Sequence, residues 1–102
     1  MAYSSTGAVE WDDAKDLLNQ EKHCISFGEA RRLFESGVDY LEVFDVEHSD
    51  LEDRFIAIGP IERGLVVIVY TERDEDIIRI IGARWANARE QSLYRSYMDQ
   101  SR

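Results

Sequence analysis

Three apolar segments occupy the middle of the chain and are separated by short polar or glycine-containing connections. They are Phe55–Ile58, Leu65–Tyr70 and Ile77–Ile81. Each has the length of a strand, and the connections Gly59–Gly64 and Glu72–Asp76 suit turns, so the pattern predicts a three-strand meander. Leu, Val and Ile alternate little with polar residues in the second and third segments, which predicts a sheet covered on both faces.

Two helical patterns precede the meander. Asp12 is a suitable N-cap for a helix that ends near Lys22. Its apolar face is expected to contain Ala14, Leu17 and Leu18. A second helix is predicted from the capping box Ser26-Phe27-Gly28-Glu29, and Gly37 suits the position just after its last turn.

The remaining segments complete an α+β pattern. Val38–Val46 is predicted to be a strand, Pro60 is expected in the turn between the first two meander strands, and Asn87 with Glu90 marks the start of a last helix. The prediction is two N-terminal helices, about four mainly antiparallel strands and a C-terminal helix that covers one sheet face.

Size and composition indicate one domain in 102 residues, with residues 1–8 as a flexible N-terminus and residues 9–102 as the domain. We expect a cytoplasmic protein, because no signal peptide or membrane span is evident and Cys24 is the single cysteine. The net charge is −9, yet residues 1–53 hold 14 acidic and four basic residues, whereas residues 54–102 hold seven and eight. The acidic first half suits a basic protein partner, whereas the nearly balanced second half is where a small positive patch would lie.

Common catalytic and cofactor motifs are absent. The chain has no glycine-rich phosphate loop, no paired cysteines and no HExxH sequence, and it has only two histidines. We therefore expect neither a cofactor nor a metal. His48-Ser49-Asp50 is more typical of a polar turn than of a catalytic group.

Arginines within apolar strands are the strongest indication of a functional site. In a two-residue period Arg79 shares a face with Ile77 and Ile81, whereas Arg84 shares a face with Ile78 and Ile80. With Arg54 at the start of the meander, these arginines either pair with the many acids or clamp a phosphodiester, and the sequence leaves both interpretations open.

The end of the first helix carries a second candidate. Lys22 and His23 either form a plain C-terminal cap or hold a phosphate and exchange a proton, and both interpretations stay open. Trp11 and Trp85 are more typical of core packing than of base stacking.

From Val9 to Tyr97 the sequence resembles the BrnT family of toxins from type II toxin–antitoxin systems, whose fold is similar to that of RelE-type ribonuclease toxins. Several short motifs carry the resemblance in order. They are Glu10-Trp11-Asp12 with Lys15 and Asn19, Lys22-His23 before Ile25-Ser26-Phe27 and Glu29-Ala30, His48-Ser49 with Glu52, Arg54-Phe55, Ile58-Gly59, and Ile78–Arg84 with Glu90 and Tyr94.

The resemblance implies a metal-independent endoribonuclease that a BrnA-like antitoxin with a ribbon-helix-helix domain neutralises. It also implies that promoter DNA is bound only through the antitoxin complex. No membrane partner is expected, and the oligomeric state stays open, with a 2:2 assembly with the antitoxin as one option. By position it assigns Lys22, Arg54 and Arg84 to phosphate and transition-state stabilisation, His23 to proton transfer, and Arg79 to the same site. The alternative is a catalytically silent, acidic interaction module that binds a basic protein.

One position departs from the family pattern. Cys24 stands where the family commonly has glycine after Lys22-His23. A side chain with a β-carbon is expected there only if φ is negative.

Overall fold

Residues 8–48, 52–74 and 76–100 are described by the computed structural model of the chain. Their order agrees with the predicted α+β class. The elements are β1 (Ala8–Glu10), α1 (Asp13–His23), α2 (Phe27–Ala30), α3 (Arg32–Glu35), β2 (Leu41–Phe44), a 3-10 turn (Val46–His48), β3 (Arg54–Ile61), β4 (Gly64–Arg73), β5 (Ile77–Trp85) and α4 (Ala88–Gln100).

One mixed sheet of five strands contains the predicted meander at its centre. The strand order is β1-β5-β4-β3-β2, with β1 parallel to β5 and all other neighbours antiparallel. The sequence predicted about four strands and missed β1, whose first residue, Ala8, was assigned to the flexible end. Three residues are too few for a period-two pattern, so β1 depends on its pairing with Ile77–Arg79. Residues 1–7 lie outside the described part of the chain.

The first hairpin of the meander is tighter than predicted. Ile61 pairs with Gly64, so only Glu62 and Arg63 form the turn, and Pro60 lies within β3 opposite Leu65. Placing Pro60 in the turn was wrong. β3 tolerates a residue without an N–H group there because β2 pairs only as far as Ile58, which leaves that side of β3 free.

Helix capping follows the prediction more closely. The Asp12 carboxylate accepts hydrogen bonds from the backbone of Ala14 and Lys15, and the Ser26 hydroxyl accepts one from Glu29. The second predicted helix is, however, divided at Arg31 into the single turns α2 and α3. Gly37 follows them with φ of +76°, as its predicted position requires.

Helix α1 turns a polar residue toward the sheet. Leu17 and Leu18 remain 65% and 59% exposed, so their stripe is not the packed face. Asn19 is buried instead; its amide donates to the carbonyls of Ile25 and Ala83 and its oxygen accepts from the Ala83 N–H. Asn19 thereby satisfies the edge of β5 beyond the end of β1 and anchors α1 to it.

Both sheet faces carry apolar clusters. On one face, α2 and α3 pack Phe27 and Leu33 against Tyr70 and other residues of the central strands. On the other, a smaller cluster includes Ile58, Val67 and Tyr94 of α4. The predicted capping of α4 is present, because Asn87 and Glu90 exchange side-chain to backbone hydrogen bonds.

Cys24 adopts a conformation that the sequence did not lead us to expect. It ends α1 with φ of +59° and ψ of +33°, in the left-handed region, and its N–H donates to the Gln20 carbonyl. The expectation of a negative φ was wrong, because closing the helix end with this hydrogen bond requires the left-handed turn. A residue with a β-carbon adopts it at a cost.

Replacing Cys24 with glycine is expected to stabilise the protein. Cys24→Gly should raise the free energy of unfolding by about 1 kcal/mol in urea titrations, since glycine reaches positive φ without steric strain. Cys24→Ala is the matched control, because it removes the thiol and keeps the β-carbon. Equal stabilities of the two variants would contradict this explanation.

Candidate functional site

A β-bulge in β5 brings its two candidate arginines to the same face of the sheet. Val69 pairs with Gly82 and Tyr70 with Ile80, so Ile81 is an extra residue. Arg79 is therefore opposite Thr71, and Arg84 is opposite Val67. Thr71 and Val67 are four residues apart on β4 and share a face. The two-residue count that separated Arg79 from Arg84 was wrong because it passed through the bulge.

Arg54 lies in the same row of the sheet as Arg79. Thr71 of β4 pairs with Arg54 on one side and with Arg79 on the other. Neighbouring strands are about 4.8 Å apart, so the two arginine Cα atoms are about 10 Å apart, and Arg84 is about 14 Å farther along the sheet. We call the surface formed by Arg54, Thr71, Arg79 and Arg84 the arginine face.

Thr71 is the residue of this face that the sequence did not suggest. It is 2% exposed, and within the described ranges its Oγ1 makes no hydrogen bond. A buried hydroxyl without a hydrogen-bond partner is unfavourable unless an atom of a ligand or of water forms that hydrogen bond. A polar residue at the end of an apolar strand was the available signal, although many such residues only mark where a strand reaches solvent.

Glu10 holds one end of the row. It pairs with Arg79 across β1 and β5, and its carboxylate lies 2.8 Å from the Arg79 guanidinium and 3.6 Å from that of Arg73. Arg79 keeps a third of its side chain exposed. The ion-pair interpretation therefore describes Arg79 in this structure, and its guanidinium retains further N–H groups for a ligand.

Glu90 forms more hydrogen bonds with Arg84 than Glu10 forms with Arg79. Two hydrogen bonds of 2.7 Å join the two carboxylate oxygens to Nη1 and Nη2 of Arg84. Through this pair, Arg84 holds the pKa of the Glu90 carboxyl below its usual value, and the carboxylate raises the pKa of Arg84. The fork that would hold a phosphate is occupied by a carboxylate in this structure.

Arg63 is outside the arginine face and has a structural role. Its guanidinium donates to both oxygens of Glu29 and to the Cys24 carbonyl. It also lies 4.9 Å from the centre of the Trp85 ring. Arg63 therefore ties the turn after β3 to the end of α1.

Lys22 and His23 lie in the last turn of α1. Lys22 is exposed and His23 is half-buried, and neither side chain makes a hydrogen bond or ion pair within the described segments. Asn19, one helical turn earlier, binds the backbone of Ala83, the neighbour of Arg84. The structure thus places the helix end beside β5, but no described contact joins it to the arginine face.

The two tryptophans pack internally. Trp11 meets Phe27 edge to face at 6.4 Å and lies under Arg31, while Trp85 lies under Arg63. Both border the larger apolar cluster, which agrees with the packing interpretation. Of the predicted polar turn His48-Ser49-Asp50, Ser49 and Asp50 lie outside the described residues.

Among the described residues, no three of the His, Cys, Asp and Glu side chains are grouped so that they could hold a metal ion. None of the helices in this part of the chain is long and apolar enough to cross a membrane.

The fold is that of a small ribonuclease toxin. It matches the crystal structure of the Brucella abortus ribonuclease toxin, BrnT, with a TM-score of 0.60 and 20% sequence identity, over 80% of this chain and 99% of that chain. The family described as "Ribonuclease toxin, BrnT, of type II toxin-antitoxin system" matches residues 11–90. The chain therefore belongs to the BrnT family. No curated protein sequence matches it.

Membership of this family implies RNA as the target and a protein antitoxin as a partner. The matched region contains the whole arginine face, the end of α1 and, as its last residue, Glu90. Glu10 lies just outside it.

The Arg84–Glu90 pair should contribute to the acid sensitivity of folding. Because the pKa of Glu90 is lower in the folded protein, its contribution is present above about pH 4.3, the usual range of an unfolded glutamate, and is lost as pH falls through the folded value. Glu90→Gln should lower the free energy of unfolding at pH 7 by about 1 kcal/mol, a value that allows for the 42% exposure of Arg84.

Urea titrations between pH 3 and 7 measure this effect. Glu35→Gln, which removes the 3.4 Å pair with Arg31, is the control and should cost only about 0.3 kcal/mol. The account is wrong if wild type and Glu90→Gln keep a constant difference over the whole range.

Proposed function

We propose that this chain is a metal-independent endoribonuclease whose substrate phosphate binds the arginine face. The observation that carries the proposal is the placement of three arginines and an unsatisfied threonine hydroxyl on one face of the sheet. Guanidinium groups match phosphate oxygens in geometry and charge.

The chemistry needs electrostatic stabilisation and proton transfer. The ribose 2′-oxygen bonds to the adjacent phosphorus, the bond from phosphorus to the 5′-oxygen breaks, and one proton leaves the 2′-hydroxyl while another reaches the leaving oxygen. We assign stabilisation of the added negative charge to Arg54, Arg84 and Lys22, with Arg79 orienting the phosphate. His23 is assigned to proton transfer.

The carboxylates on this face compete with the substrate. Glu10 occupies part of Arg79, and Glu90 occupies both terminal nitrogens of Arg84. RNA binding would replace at least the Arg84–Glu90 pair by a guanidinium–phosphate pair. The substitution exchanges one charge-assisted contact of Arg84 for another, so the phosphate contact offsets part of the free energy lost with the Glu90 contact.

The occupied fork of Arg84 also supports the second candidate function. A catalytically silent module would keep its arginines in permanent ion pairs and use its acidic surface to bind a basic protein. In either case we propose a BrnA-like antitoxin with a ribbon-helix-helix domain as the partner, and contact with promoter DNA only through that antitoxin. Cleavage of RNA by the isolated protein separates the two candidates.

Cleavage of total RNA in the presence of EDTA tests the enzyme directly. We expect fragments from the wild-type protein and about 100-fold slower cleavage by Arg54→Ala and Arg84→Ala, because each removes a transition-state contact. Cleavage of RNA by Lys22→Ala should also be slower than cleavage by the wild-type protein. Arg32→Ala, an exposed arginine of α3 with the same change in charge, is the control and should retain the wild-type rate.

Two outcomes would contradict parts of this proposal. No cleavage by a folded wild-type protein would favour the silent module. Equal rates for wild type, Arg54→Ala and Arg84→Ala would leave the ribonuclease and remove the proposed site.

Thr71 gives a test that separates function from stability. Thr71→Val keeps the shape of the side chain and removes the unsatisfied hydroxyl, so the free energy of unfolding should be unchanged or slightly higher. If the hydroxyl contacts the bound phosphate, cleavage should nevertheless fall by about 10-fold, the effect of one lost hydrogen bond. A stable variant with the wild-type rate would exclude this contact.

A further inference from the structure

A cavity of about 330 Å³ lies on the sheet face opposite the arginine face. It is bounded by α3, by the segment that leads into β2, and by the adjoining ends of β4 and β5. Its apolar walls include Phe34, Val38, Tyr40 and Ile78. We call it the acidic pocket, because the only charged side chains that line it within the described chain are Glu72 and Asp76.

The negative charge of this pocket has no basic counterpart among its described lining residues. A third carboxylate, that of Glu42, lies close enough to Glu72 for the charge of Glu72 to affect its pKa. Burial raises the pKa of Glu42 above its usual value, and the charge of Glu72 raises it further. Burial and the same two carboxylates also raise the pKa of Tyr40. A positive group entering here would relieve this repulsion.

The walls of the pocket are held by close packing. Phe34 meets Tyr40 and Tyr70 edge to face at 5.6 and 5.1 Å, and the Tyr70 hydroxyl donates to Glu42. Gly59 permits the approach of these elements, because a β-carbon there would come within 2.7 Å of Leu33 and Tyr40. The pocket is thus formed before a ligand arrives, which limits the entropy lost on binding.

We propose that the acidic pocket binds a long basic side chain, arginine or lysine, from a basic segment of the antitoxin. The inference rests on the proposed function only in taking the antitoxin as the partner. The methylene groups would lie along Phe34, Tyr40 and Ile78, and the cationic head would reach Glu72 and Asp76. The volume is at the lower end of the range for ligand pockets, roughly 300–1,000 Å³, and suits one side chain.

The location of the acidic pocket limits the role of a side chain that binds there. The pocket and the arginine face are on opposite sides of the same sheet, so a segment seated in the pocket does not itself cover the phosphate site. We infer that it supplies affinity and partner specificity, and that covering the arginine face requires another part of the antitoxin.

Amide chemical shifts of the isolated protein test the pocket with defined probes. The peptides acetyl-Leu-Arg-Leu-amide and acetyl-Leu-Gln-Leu-amide differ only in charge and head group. The arginine peptide should shift the amides of Gly37, Tyr40, Ile77 and Ile78 in a saturable way, and the glutamine peptide should bind at least 10-fold more weakly. Equal shifts with both peptides, or no shifts at these amides, would overturn the proposal.

Charge-matched variants complete the experiment. Glu72→Gln with Asp76→Asn should weaken arginine-peptide binding at least 10-fold, whereas Glu21→Gln with Asp99→Asn changes the net charge equally on exposed helical sites and should not. Unchanged binding by the first variant overturns the pocket. Peptide binding is measured without RNA, so an inactive protein that binds the peptide would refute the ribonuclease alone, and an active protein that does not would refute the pocket alone.

Discussion

The extra residue in β5 is the constraint on which the arrangement of the candidate site depends. Without Ile81 as a bulge, Arg79 and Arg84 would emerge from opposite faces of the sheet, and no single phosphate-binding surface could include both. With it, both join Arg54 on one face. Bulges often redirect side chains near functional sites, and here the redirection also brings Arg84 to Glu90, which caps α4.

The sheet divides two kinds of charge between its faces. On the arginine face, Glu10 and Glu90 hold the guanidinium groups of Arg79 and Arg84 in place. On the opposite face, Glu72 and Asp76 line the acidic pocket without a basic residue among its described lining. This division reconciles a net charge of −9 with an RNA target, because the local potential and not the total charge determines where a phosphate binds. On the two proposals above, RNA and a basic partner would bind separate surfaces of the sheet.

Local signals in the sequence were sufficient for much of the fold. Residues that are close in sequence determine the helix caps at Asp12 and Ser26 and the apolar strands of the meander. All of these features are present in the structure. Features that depend on long-range contacts could not be predicted from the sequence. β1 is defined by its pairing with β5, and the apolar stripe of α1 gives no sign that Asn19 is the residue that is buried against β5. Gly82 inside a strand was a possible sign of the bulge, but a glycine does not specify which residue is extra.

The central claim is that the backbone of RNA binds the arginine face, and a substrate that cannot be cleaved tests it most directly. A 2′-O-methyl RNA oligonucleotide is titrated into the protein while amide and guanidinium chemical shifts are recorded. It should shift the resonances of Arg54, Thr71, Arg79 and Arg84. Its affinity should fall steeply as salt is raised, since phosphate contacts release counterions. Shifts confined to other surfaces, or an affinity independent of salt, would contradict the account.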